Sequence, residues 1–143
     1  AGSCLLFASS VAVGDQEVAI VGVVLGAPDH GTLDAAVRAL LASAESGFRE
    51  LPLVTAGEAF YTYSTPWGQS ARAVAAEDAS AIVWAGTPIT STSTATELRD
   101  GSPGDTVGDV AVRVGDTRVA VRLILDAEVS DPGPWWRLTN PFG

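Results

Sequence analysis

Hydrophobic positions along the chain fall into two textures, one before Pro52 and one after it. Residues 4–10 form a short apolar run, a polar turn follows through Gly14, Asp15 and Gln16, and residues 18–25 form a second run that is nearly unbroken in Val, Ile and Leu. Such continuity predicts a strand buried on both faces, and the short connection makes the two runs an antiparallel hairpin. A turn cluster at residues 28–32 then ends on Thr32, a candidate helix N-cap, with Asp34 expected in the first turn. Beyond it Leu33, Val37, Leu40, Leu41, Ala44 and Phe48 share one stripe at helical spacing, and Gly47 and Pro52 mark its end.

After Pro52 the period shortens to two. Residues 59–64, 71–75 and 81–85 read as strands, with Glu77 and Asp78 as an acidic turn before the last of them. Residues 88–96 are a Ser/Thr run of high β propensity, read as an exposed strand or a loop. The clearest hairpin comprises residues 107–114, a turn at Gly115 and Asp116, and a long return over 118–129. Within it Val110, Val112 and Val114 alternate with Asp109, Ala111 and Arg113, as one buried face requires. The expected class is α+β: an antiparallel hairpin plus one helix over residues 1–51, then a small all-β domain of five to seven strands over 52–143. Pro132, Gly133 and Pro134 argue against a regular helix near the end.

Composition narrows the function classes. The 143 residues are 47% hydrophobic and 17% charged, which supports a packed core rather than disorder. A net charge of −9 argues against nucleic acid or an anionic membrane as the main partner. All eight basic residues are arginine, so no Schiff base, P-loop lysine or Ser-x-x-Lys pair can be built from this chain alone. GC-rich coding accounts for the missing lysine as well as selection does. One cysteine and one histidine preclude an internal disulfide and a zinc site of ordinary ligand count. The N-terminus lacks a signal-peptide pattern, so an exported protein would carry its signal outside this sequence.

Candidate chemistry is sparse. Cys4 and His30 invite a thiol–imidazole dyad, but an apolar strand and a turn give it no local support, and Cys4 reads as a small buried hydrophobe. Ser64, Thr65, Ser70, Ser91 and Ser93 lack a G-x-S-x-G elbow. Asp109, Asp116, Asp126 and Glu128 fall in one hairpin and are expected to solvate a sheet face rather than pair for acid–base work, and their spacing matches no EF-hand loop. Gly101, Gly104 and Gly108 punctuate turns and form no dinucleotide fingerprint. Trp135, Trp136 and Phe142 beside Arg137 either form an interfacial, membrane-surface segment or cap the end of the β half. No catalytic, metal or cofactor residue is assigned.

The first fifty residues resemble the stretch that follows the Lys-Thr-Gly motif in serine-type D-alanyl-D-alanine carboxypeptidases, the low-molecular-mass penicillin-binding proteins. The match rests on Ala1 and Gly2, Cys4 near the start of an apolar strand, Val23, Val24, Leu25 and Gly26 ending the second strand, and Gly47 and Phe48 closing the helix. The second half is similar to that family's C-terminal β-rich domain, through Pro52, Leu53, Val54 and Gly57 and then through Gly104, Asp105, Thr106, Val107 and Gly108. The resemblance implies that the motifs Ser-x-x-Lys, Ser-x-Asn and Lys-Thr-Gly all lie upstream of the matched region. Two of the three need a lysine, so this chain does not contain that active site. Where relatives often carry an arginine at the start of the helix, Ala36 stands at about that place, with His30 and Arg38 nearby.

The resemblance therefore implies the C-terminal portion of an extracytoplasmic, cell-wall serine peptidase. Its partner would be the upstream catalytic portion, in cis or as a separate chain, and peptidoglycan peptide would be reached through the complete protein. This chain alone would be inactive, with no cofactor and no nucleic acid. The alternative is a non-catalytic β-rich binding or positioning module of an envelope complex.

Overall fold

The computed structural model describes residues 2–140, so Ala1 of the family-like start and Phe142 of the aromatic terminus lie outside the described residues. The chain divides into two compact units, residues 1–51 with 82–87, and residues 52–81 with 88–143. Division at Pro52 from periodicity alone left 82–87 in the second half. Ile82 instead packs with the first unit's core, and the backbone N–H of Ala85 donates to the Gly47 carbonyl at 2.9 Å.

The first unit opens with β1 (Ser3–Val13) and β2 (Gln16–Ala27), an antiparallel hairpin whose register pairs Val13 with Gln16 and Leu6 with Val23. Gly14 and Asp15 make the two-residue turn, with Gly14 at φ 60, which a side chain at that position rarely adopts. Helix α1 (His30–Gly47) follows. Its N-cap is Asp29 rather than Thr32: the Asp29 carboxylate accepts from the Thr32 N–H at 2.7 Å and from its hydroxyl at 3.2 Å. Asp34 consequently lies beyond the first turn. A carboxylate one turn earlier outcompetes the threonine because it satisfies the orphan N–H with a full negative charge.

On the predicted stripe Leu33 and Ala44 are buried and Val37 and Leu41 half-buried, whereas Leu40 is half exposed. Val11, Val13 and Ala44 form a core cluster with Val18, Ile20, Phe48 and Ile82 packed against it. Trp84 meets Phe48 edge to face at 4.9 Å. It also lies so close to Gly47 that a β-carbon there would fall 2.3 Å from the indole, so the end of α1 requires glycine by close approach.

The two passages that cross the division, β3 (Phe48–Val54) and β6 (Ala79–Trp84), pair with one another. The second unit is built on a five-stranded sheet of order β4 (Ala59–Ser64), β5 (Ser70–Ala75), β9 (Thr117–Leu125), β8 (Thr106–Val114) and β7 (Ile89–Ala95). The Ser/Thr run is thus a true strand, β7, on the sheet edge, where polar side chains suit its exposure. Ala71, Ala73, Val110, Val112, Val114, Val121, Leu123 and Leu125 are buried; on β8 and β9 the alternate residues are more exposed, whereas on β5 Val74 and Ala75 are buried as well.

The sheet curls until its first and last strands meet through side chains: the Tyr61 hydroxyl donates to the Ser93 carbonyl at 2.6 Å, and the Tyr63 hydroxyl donates to the Thr96 carbonyl at 3.0 Å. Asp105 folds the segment before β8, its carboxylate accepting from the Ser102 N–H and its carbonyl accepting from the Leu125 N–H. The returning strand ends at Leu125, short of Val129, which reaches back to bridge Gly101. A short helix, α2 (Gly133–Thr139), closes the described chain. Pro132 and Pro134 sit at its N-cap and first turn, where the missing N–H costs nothing, so these prolines open a helix rather than forbid one.

Candidate functional site

Continuous hydrophobicity predicted burial on both faces of the hairpin, yet the structure covers only one. On the side of α1, Val11 and Val13 are buried and Phe7, Val18, Ile20 and Val24 are half-buried. The opposite face carries Leu6, Ala8, Ala19, Val21, Val23 and Leu25, all exposed, with Leu6 at 72%, Val21 at 73%, Val23 at 56% and Leu25 at 71%. Fully burying such a side chain is worth about 1.5–3 kcal/mol. Most of that is unclaimed at four adjacent positions. Exposed apolar patches on a sheet are candidate interaction surfaces.

The second unit carries a groove of about 610 Å³ between the β4–β5 turn, the segment before β8 and α2. Trp67 and Trp136 meet edge to face at 5.5 Å, with Pro66, Leu98 and Pro132 also lining it and Arg99, Asp100 and Asn140 among its polar residues. Gln69 braces it: its carbonyl oxygen accepts from the Trp67 indole N–H at 3.1 Å and from the Ser130 N–H at 2.9 Å, and its amide donates to the Ser130 hydroxyl at 2.9 Å. Asp131 holds α2 by pairing with Arg137 and accepting from the Gly133 N–H. Trp136 packs against Trp67, while Trp135 is 78% exposed.

The remaining candidates are dispersed. The Cys4 thiol lies 3.6 Å from the Gly2 carbonyl and 3.5 Å from the Gly26 N–H on an exposed part of β1, not buried as expected, because the hairpin face it belongs to is uncovered. His30 is the first residue of α1, and no hydrogen bond joins it to Cys4 among the described residues. Thr65 shapes the β4–β5 turn by accepting from the Gln69 N–H, and Ser64 lines the groove. The hydroxyl of Ser93 meets that of Tyr61 at 3.0 Å, while Ser70 and Ser91 are exposed strand residues.

Asp109 accepts from the Thr94 hydroxyl at 2.7 Å, Asp116 sits in the β8–β9 turn, and Glu128 is exposed. Asp126 accepts from the Arg72 N–H at 2.6 Å and pairs with its guanidinium at 2.7 Å, and these bonds hold its carboxyl below the usual carboxylate range. Gly104 takes φ 93 in the turn before β8, Gly101 bridges Val129, and Gly108 follows an irregularity in the β8–β9 ladder. Among the described residues no polar or charged residue is buried, and no three His, Cys, Asp or Glu side chains form a metal-holding group.

Sequence reasoning passed over Trp67, Gln69, Arg99 and the pair Arg113 and Arg118. The Thr65-Pro66-Trp67-Gly68 turn was the available signal for the groove. For the arginines it was their symmetric placement about a two-residue turn, in Arg113-Val114-Gly115-Asp116-Thr117-Arg118.

No protein-family model and no curated protein matches this sequence. Solved structures superpose on most of it. Penicillin binding protein 5 from Haemophilus influenzae superposes with TM-score 0.49 at 14% identity, over 90% of this chain and 39% of that one. A D-alanyl-D-alanine carboxypeptidase from Francisella tularensis gives 0.49 at 22% identity over 90% of this chain and 33% of that one. A peptidoglycan synthesis regulatory factor from Streptococcus pneumoniae gives 0.49 at 20% identity over 87% and 39%. The chain thus spans only 33–39% of the length of these proteins.

Proposed function

We propose that this chain is the C-terminal portion of an extracytoplasmic peptidoglycan D-Ala-D-Ala carboxypeptidase. It would supply two strands and one helix to the catalytic domain and contribute a β-rich accessory domain. The observation that carries the reading is the uncovered face of the β1–β2 hairpin. Its strands have the composition of a sheet interior, and Leu6, Val21, Val23 and Leu25 stand exposed without a covering layer. An upstream portion of the same protein, in cis or as a separate chain, supplies that layer and the catalytic motifs. The resemblance of Gly2, Cys4, residues 23–26, Gly47 and Phe48 to the region after a Lys-Thr-Gly motif points the same way.

In the complete protein an upstream serine oxygen attacks the carbonyl carbon between the two D-alanines. The terminal D-alanine leaves as its amine takes up a proton, and water then hydrolyses the ester to regenerate the serine. This chain takes no proton and forms no bond in that sequence; its part is to hold the sheet on which the site is built. Fluorescent penicillin provides the test. It is expected to label the product of the complete gene covalently and to leave the isolated 143-residue chain unlabelled. Labelling of the isolated chain overturns the reading. An unlabelled complete product would instead favour the non-catalytic module, to which the aromatic groove would then give a binding role.

A further inference from the structure

We propose that the outer face of the five-stranded sheet holds a phosphate-class oxyanion between Arg113 and Arg118. The two residues are direct partners in the β8–β9 ladder. Opposed residues in an antiparallel pair lie about 4.5–5.5 Å apart at Cα, with their side chains on the same face. Both arginines are exposed, and neither has an ion-pair partner among the described residues, where the two pairs are Arg72 with Asp126 and Arg137 with Asp131. Like charges directly opposed across strands are destabilising. The juxtaposition is conspicuous in a chain with 17 acidic and eight basic residues. Asp116 in the intervening turn pairs with neither arginine, and Asp109, which accepts from the Thr94 hydroxyl, stands opposite Arg122 rather than opposite either of them.

Beside the pair, Thr90 of β7 lies opposite Arg113, and Thr92 lies opposite Ala111. These five residues line a hollow of about 250 Å³. The small Ala111 side chain leaves its floor open. That volume is below the roughly 300 Å³ at which pockets for drug-sized ligands begin, so the site fits an anionic group rather than a ring system. Two planar guanidinium forks present donors for at least two oxygens each, and the threonine hydroxyls add neutral donors. A dianionic phosphate cancels both charges, whereas a single carboxylate leaves one uncompensated. Arg122 stands four residues further along β9, about 13 Å away on the same face, where a second phosphate of a polymer would reach it.

The test is titration of the isotopically labelled chain with inorganic phosphate, with sodium chloride at matched ionic strength as the control. Saturable shifts of the Arg113 and Arg118 guanidinium and Thr90 amide signals are expected, with binding at least tenfold weaker in Arg118→Gln and unchanged in Arg38→Gln. The free Arg118→Gln protein is expected to melt no lower than the wild type, because the substitution removes a repulsion. A short polyphosphate binding tenfold or more tighter than phosphate, and losing that gain in Arg122→Gln, assigns the anion to a polymer. Equal affinities assign it to free phosphate or a monoester. Shifts reproduced by chloride, or a lowered melting temperature of free Arg118→Gln with phosphate binding intact, overturn the proposal.

Discussion

Replacing Leu6 and Val21 together by threonine puts the uncovered hairpin face to a quantitative test. At 72% and 73% exposure these side chains have withdrawn only about a quarter of their surface from water. With about 1.5–3 kcal/mol for complete burial, each retains about 0.5 kcal/mol in this chain, and the double change should cost about 1 kcal/mol or less. Threonine keeps the β-branched shape that suits a strand, so no large propensity penalty is added. Leu33 of α1 belongs to the same unit but is only 4% exposed, and Leu33→Ala should cost about 2–5 kcal/mol through lost transfer energy and the cavity left behind. Native-state hydrogen exchange of the β1 and β2 amides reads both changes within the first unit, without interference from the second. Comparable losses from the exposed double substitution and from Leu33→Ala would refute the assignment of that face as uncovered.

Other parts of the structure give further expected outcomes. Gly47→Ala would ordinarily gain about 0.5–1 kcal/mol in a helix, but here its β-carbon would fall 2.3 Å from the Trp84 ring, so the chain should lose stability and shift its Trp84 signal. A smaller residue at position 84 should restore the gain, and thermal melts of the single and double variants check this. Tyr61→Phe removes the hydroxyl that donates to Ser93 and should cost about 0.5–1.5 kcal/mol, with faster exchange of the β7 amides. The Asp29 carboxyl is held below the usual carboxylate range, first by the Thr32 backbone N–H and then by its hydroxyl. Because the folded value is depressed, its contribution is complete above the unfolded value of about 3.9 and is lost as pH falls through the folded one. The first turn of α1 should therefore loosen in acid, as amide shifts of residues 30–33 would show, and Asp29→Asn should keep the cap but remove the pH dependence.

Much of the architecture was legible because its signals are local. The two Val-Gly-Asp turns fixed both hairpins, and the alternation of Val110, Val112 and Val114 located the buried face of the second sheet. The helix cap was misplaced at Thr32 because only geometry shows that the Asp29 carboxylate accepts from the Thr32 N–H. The α2 helix was missed because proline is read as a breaker until its place in the first turn is known.

The grooves were harder to see. Trp67 and Trp136 are 69 positions apart in the sequence, and no local period brings them together. The uncovered hairpin face shows a different limit. Hydrophobic continuity does not tell which face of a strand is covered, and among the described residues α1 lies against one face of the hairpin while Leu6, Val21, Val23 and Leu25 stand exposed on the other.

Hydroxyl-radical footprinting with mass spectrometry on the product of the complete gene, set beside the isolated chain, tests the central claim most directly. Leu6, Val21, Val23 and Leu25 should be modified readily in the isolated chain and strongly protected in the complete product, while the exposed Trp135 reports equal radical dose in both. Equal modification of the four hairpin residues in both proteins would contradict the claim that this sheet is completed by an upstream portion.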